Sequence, residues 1–158
     1  MREQRLRDFF EGKAPAAELA RDVEGSTNAS GLLSKVSIED MAEPFTVSSA
    51  MAIRLCDAVL SGELPAADLR TIGFVLQASD KFEWDGDEDE VLAEVISDWS
   101  APEINYPLTT DNVRRFRAWL AREEPYPARP PLADSGGNII SVTEKNAPRS
   151  LWNRIWRR

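Results

Sequence analysis

Punctuation constrains this chain more than any other feature. Short runs with a helical apolar period are closed by glycine and reopened by proline, a pattern that suits several short helices. The strongest run begins after Ser48. Met51, Ala52, Leu55, Cys56 and Val59 recur at spacings of one, three and four, which lines them along one helix face. Gly62 closes that helix, and Pro65 opens the next at a position where its missing N–H costs nothing. In the second helix Leu69, Ile72, Gly73, Phe74, Val75 and Leu76 run nearly all round, predicting a central place in the core for the whole set. Gly73 predicts a close helix approach, because a mid-helix glycine otherwise costs about 1 kcal/mol relative to alanine. So short a link predicts an antiparallel hairpin of these two helices.

Weaker signals flank that pair. Residues 5–11 before Gly12 and 16–24 before Gly25 read as helices ending at glycine. Residues 26–35 read as a loop, and 36–45 as irregular chain with room for one helical turn. A third strong helix is predicted over 88–99 from Val91, Leu92, Val95, Ile96 and Trp99. Residues 100–108 hold two prolines and read as an ordered loop, with Ile104 and Tyr106 turned inward. Thr109 or Thr110 caps the last helix, whose buried stripe is Val113, Phe116 and Leu120. The expected fold is all-α: a compact bundle of five to six short helices over 1–124, then an irregular Pro/Gly-containing tail over 125–158.

The 158 residues suit one domain, and no apolar run approaches the roughly 20 residues a membrane helix needs. The N-terminal MREQRLRDFF has basic residues but no apolar stretch after them, so a secretory signal is not expected and a cytoplasmic location is. A lone cysteine, Cys56, leaves no internal disulfide and no cysteine-rich zinc site. The absence of histidine removes Ser-His-Asp and Cys-His catalysis and the usual near-neutral proton shuttle.

Charge divides the chain into three blocks. Residues 1–35 balance six basic against six acidic side chains. Residues 36–111 carry only Arg54, Arg70 and Lys81 against seventeen acids, and residues 112–158 carry ten basic against four acidic. So acidic a middle block repels phosphate, which argues against nucleic acid as a partner, and attracts basic protein surfaces. A solvated face that merely keeps the protein soluble reads equally well.

On the third helix Glu90, Glu94 and Asp98 fall at i, i+4 and i+8, opposite Val91, Val95 and Trp99. Like charges at that spacing cost about 0.2–0.5 kcal/mol per pair, and no lysine or arginine lies between Lys81 and Arg114 to offset them. Either arginines elsewhere in the chain, such as Arg114, Arg115 and Arg117, face these acids, or a partner's basic surface does. Just upstream, Asp80, Glu83, Asp85 and Asp87 surround Phe82 and Trp84. An aromatic anchor inside a charged rim resembles an interface hot spot, whereas rings closing the end of a bundle would look the same in sequence.

Enzymatic readings fare poorly. A calcium loop starting at Asp85 would need glycine at its sixth position and glutamate at its twelfth, but Glu90 and Ile96 stand there. A magnesium nuclease could use bare carboxylates, yet its substrate would be repelled. Cys56 lies on an apolar helix face and reads as a small buried hydrophobe. No enzyme activity, metal or cofactor is expected. In the tail, Leu151, Trp152, Ile155 and Trp156 are expected on one apolar face of a short helix with Arg149, Arg154, Arg157 and Arg158 around it, suited to docking on the acidic region, on a second copy or another protein, or on an anionic membrane surface.

The run LCDAVLSGELPAADLRTIGFVLQASDKFEWDGD, the acidic helix, WSAPEINYPLT and NVRRFRAWL together resemble small helical bacterial immunity proteins of the colicin-immunity kind, over about residues 46–121. The resemblance lies in helix order, size and acidic character. It implies a non-catalytic inhibitor that binds and neutralises a cognate bacterial toxin, with Asp80, Glu83, Asp85, Asp87, Glu90, Glu94 and Asp98 facing basic side chains and Trp84 as apolar anchor. The alternative is a structural or adaptor subunit of a bacterial assembly, docked through its basic aromatic tail.

Overall fold

The computed structural model describes residues 1–30, 33–84 and 89–127, and Met1–Tyr126 form one compact unit. The chain is mostly helical, as the apolar periods predict. Its helices are α1 (Glu3–Phe10), α2 (Ala16–Glu24), α3 (Ser49–Leu60), α4 (Asp68–Ala78), α5 (Glu90–Ser100) and α6 (Thr110–Leu120). Leu6, Leu19, Leu55, Leu69, Ile72, Leu92, Ile96, Trp99 and Phe116 are fully buried, one or more from each helix, so a single core holds the bundle together.

The helices pair α4 with α5, α3 with α6 and α1 with α2, while α2 also meets α4 and α5 meets α6. The expected α3–α4 hairpin is therefore not the main packing unit. Gly73 explains why α4 prefers α5. A Cβ at that position would lie 2.8 Å from Trp99 Cβ, 2.9 Å from the Ser100 nitrogen and 3.0 Å from the Ile96 oxygen. Only hydrogen fits where these two backbones cross.

Two apolar side chains expected inside are not. On α4, Leu69, Ile72, Gly73, Val75 and Leu76 are buried as expected, and Phe74 alone of that set is exposed, at 45%. Ile104 is 83% exposed, because Tyr106 fills the inward place beside Phe116 (ring centroids 6.0 Å) and Trp119 (5.4 Å).

Short strands appear where loops were expected. Residues 26–35 hold an antiparallel pair, β1 (Thr27–Ser30) with β2 (Leu33–Val36), in the register Thr27↔Val36. The polar composition hides this hairpin, whose only sequence sign is the Ser30-Gly31 step between the strands. No helical turn forms between Val36 and Phe45. There Met41 is buried, and its N–H donates to the Glu3 Oε2 at 2.9 Å. β3 (Phe45–Thr46) pairs in parallel with β4 (Phe82–Glu83). The pairing brings Phe45, Phe82 and Phe10 into one aromatic trio, with centroids 6.2–6.5 Å apart.

The helix ends are built alike in three places. After α1 and α3, Gly12 (φ 75°) and Gly62 (φ 81°) take the left-handed conformation, and the next N–H reaches back to the carbonyl five residues earlier. After α6 the same turn is made by Arg122, at φ 57°, with the Glu123 N–H donating to the Ala118 carbonyl at 2.9 Å. An arginine stands where two sister turns use glycine. At α6's other end Thr109 is the cap, its Oγ1 accepting from the Asn112 N–H at 3.3 Å.

Candidate functional site

The acids of the sequence reading separate into three groups. Asp80, Glu83 and Glu90 are exposed, and none forms an ion pair with a lysine or arginine among the described residues. Glu83 is fixed by the β3–β4 pairing, in which the Val47 N–H donates to its carbonyl at 2.7 Å. Glu90 opens α5, where the positive end of the helix dipole favours a carboxylate. Asp85 and Asp87 lie outside the described residues, as do Leu151, Trp152, Ile155 and Trp156 of the tail.

Glu94 is half-buried, and Asp98 is not a surface residue at all. Its exposure is zero, and Tyr126 donates its hydroxyl to Asp98 Oδ2 at 2.8 Å. Helix geometry accounts for the difference. Each step of four residues overshoots a 3.6-residue turn by about 40°, so three acids at i, i+4 and i+8 spread over about 80° of the helix circumference. The row leaves solvent at Glu90 and ends at Asp98 under the returning chain. Asp98 is thus removed from the expected partner-facing set.

The aromatic anchor is also only partly as expected. Phe82 belongs to the core through the aromatic trio, and Trp84 is half-buried and packed against that core. Two of the three arginines named as counterions, Arg114 and Arg117, do other work. Arg114 pairs with Asp111 at 2.6 Å, and Arg117 pairs with Asp57 at 2.7 Å and reaches Glu123 at 3.5 Å. Asp89, beside the acidic row, caps α3 instead: its Oδ1 accepts from the Ser49 hydroxyl at 2.7 Å and its Oδ2 from the Ser49 N–H at 3.2 Å.

Sequence reasoning missed a groove at the far end of α6. It encloses about 520 Å³ and is lined by Glu90, Val91, Trp119, Arg122, Glu123, Glu124, Pro125 and Tyr126. Tyr126 stands edge-on to Trp119 with ring centroids 5.0 Å apart, and its bond to Asp98 ties residues 123–126 back across α5. Residues 125–126, expected to begin the tail, therefore form a groove wall. A faint signal existed in the sequence: α6 is followed by Arg-Glu-Glu-Pro-Tyr with no glycine to end it.

Two further groups have altered acidity. Burial, and then the carboxylate of Glu24, push the half-buried Asp68 at the start of α4 up to about 6. Burial pushes the Cys56 thiol up to about 12, so this fully enclosed side chain is no nucleophile at neutral pH. Among the described residues no cluster of three or more Cys, Asp or Glu side chains is arranged to hold a metal ion, and no helix is long and apolar enough to cross a membrane. Comparison of the chain with protein-family models, with curated proteins and with solved structures finds no match.

Proposed function

We propose that this chain is a non-catalytic inhibitor that binds a basic protein, most simply a bacterial toxin, through the acidic edge formed by Asp80, Glu83 and Glu90. One observation carries the reading: three exposed carboxylates lie along one stretch of chain and none meets a cation among the described residues. Trp84, half-buried between them in sequence, supplies apolar area at the same edge. The likeness to colicin-immunity proteins over residues 46–121 supports the same reading, as does the excess of seventeen acids over three bases in residues 36–111.

The mechanism needs no bond-making. Carboxylates at the edge occupy lysines and arginines that a nuclease toxin would otherwise place on phosphates. Long-range attraction raises the encounter rate and is screened by salt, over a length of about 8 Å at physiological ionic strength. The test is stopped-flow association with a candidate nuclease toxin, drawn from the gene neighbourhood where one is encoded there, comparing the native chain with the triple variant Asp80→Asn, Glu83→Gln, Glu90→Gln. A rate at least tenfold slower at low salt, with a flattened salt dependence, is expected. An unchanged rate and affinity refute the acidic edge. If no toxin associates with the native chain and its assembly with other copies or subunits is lost in Trp152→Ala, Trp156→Ala, the adaptor reading takes its place.

A further inference from the structure

The groove at the end of α6 has a chemistry of its own. Three carboxylates (Glu90, Glu123 and Glu124) and one guanidinium (Arg122) line it, around the rings of Trp119 and Tyr126. Trp119 is almost wholly buried, so its indole forms the floor, while half-buried Tyr126 forms a wall. That wall is rigid. The hydroxyl is held by Asp98 at 2.8 Å and the ring is held by Trp119, so Tyr126 has no freedom to lose when something packs on it. Glu90 and Glu124 are exposed at the rim, and Glu123 has only the long 3.5 Å contact with Arg117.

From this arrangement we infer that the groove is a seat for an arginine side chain of the partner. This deepens the proposed function and rests on it, since it names the group that the acidic edge delivers. Charge complementarity commits the occupant. Three carboxylates line the groove against one lining cation, Arg122, and Arg117 reaches Glu123 from outside it, so the lining keeps an excess of negative charge that repels an anion and favours a guanidinium or ammonium group. Between those, arginine fits better: its planar group stacks on an aromatic face while donating to carboxylates at its edge, and it is more weakly hydrated than lysine. The turn at Arg122 belongs to this design, because its left-handed conformation lets the chain fold back from α6 so that Tyr126 faces Trp119.

The probe is the tetrapeptide Ac-Gly-Arg-Arg-Gly-NH2, titrated into the full chain with the assigned Trp119 indole N–H and Tyr126 ring signals followed by NMR. Its control is the citrulline analogue, which has the same shape without the charge. Saturable shifts at both rings are expected, with a Kd on the order of 1 mM. The citrulline peptide should bind at least tenfold more weakly, and Glu124→Gln, an exposed and structurally mild change, should weaken the arginine peptide about threefold to tenfold. Equal binding of the citrulline peptide, no shift at Trp119, or no effect of Glu124→Gln overturns the seat. If shifts occur only around Glu83 and Trp84, the groove is wrong and the acidic edge stands. If Trp119 responds but the double variant Asp80→Asn, Glu83→Gln, which leaves the groove lining intact, does not change toxin association, the edge is wrong and the groove stands.

Discussion

Replacing Gly73 by alanine tests how the two central helices are fitted. The new Cβ would meet Trp99 Cβ at 2.8 Å, the Ser100 nitrogen at 2.9 Å and the Ile96 oxygen at 3.0 Å. Restoring the first contact to an ordinary 3.4 Å requires α4 and α5 to part by about 0.6 Å. Two of the three obstacles are backbone atoms, so no rotamer change in α5 can relieve them. Overpacking of this kind costs about 1–3 kcal/mol. Rigid backbone obstacles put this site in the upper half of that range, about 2–3 kcal/mol, so after alanine regains about 1 kcal/mol of helix propensity the clash should win by about 1–2 kcal/mol. That corresponds to a fall in Tm of roughly 3–8 °C for a chain this size. Urea unfolding followed by tryptophan fluorescence measures it, with Gly25→Ala as the control. Gly25 has φ −70°, and a Cβ there would touch only the Arg21 oxygen at 3.6 Å, so alanine should stabilise by up to about 1 kcal/mol. If Gly73→Ala proves as stable as the native chain at an unchanged m-value, the close crossing of α4 and α5 is wrong.

Two other substitutions separate local effects. Asp68 has its pKa raised to about 6, above the ordinary carboxylate value of about 3.9, so the folded state holds its proton more tightly. Its ionised form is therefore a penalty present in full above pH 6 and gone below about pH 4. Discounted for the solvent around a half-buried group, Asp68→Asn should add about 1 kcal/mol at pH 7.5 and nothing at pH 3.5, read from paired urea curves. For Arg122, the informative comparison is Arg122→Gly against Arg122→Ala. Both delete the side chain and whatever it holds, and only alanine retains the left-handed strain at φ 57°, so the glycine variant should be the more stable by about 1 kcal/mol in thermal melts. Equal stability would mean that the turn relaxes once the arginine is gone.

The parts of the fold visible in the sequence are those fixed by local rules. Glycines 12 and 62 end helices because left-handed closure disfavours side chains, and the expected stripes of α3, α5 and α6 are buried except for Met51 and Val91, which are half-buried at the start of their helices. What stayed hidden depends on which neighbour arrives. Phe74 and Tyr106 are both large and apolar, but only Tyr106 meets a receiving surface, between Phe116 and Trp119. The 27–36 hairpin is polar in sequence and is carried by backbone pairing, which leaves no period to read. β3 and β4 are two residues each and 37 positions apart, so no window of sequence contains their pairing.

The candidate site shows the same division on a finer scale. Spacing alone placed Glu90, Glu94 and Asp98 on one face, yet spacing cannot say where a face meets returning chain. Tyr126, 28 residues further on, decides that, and a carboxylate that would have repelled its neighbours in solvent becomes a buried acceptor instead. The like-charge cost inferred for the row therefore falls on the Glu90–Glu94 end, where the first-turn dipole partly offsets it. The same closure that removes Asp98 from the surface creates the groove beside Glu90. The docking surface proposed for a basic partner is thus smaller than the sequence suggested at the C-terminal end of α5, with the groove at the N-terminal end as its best-shaped part.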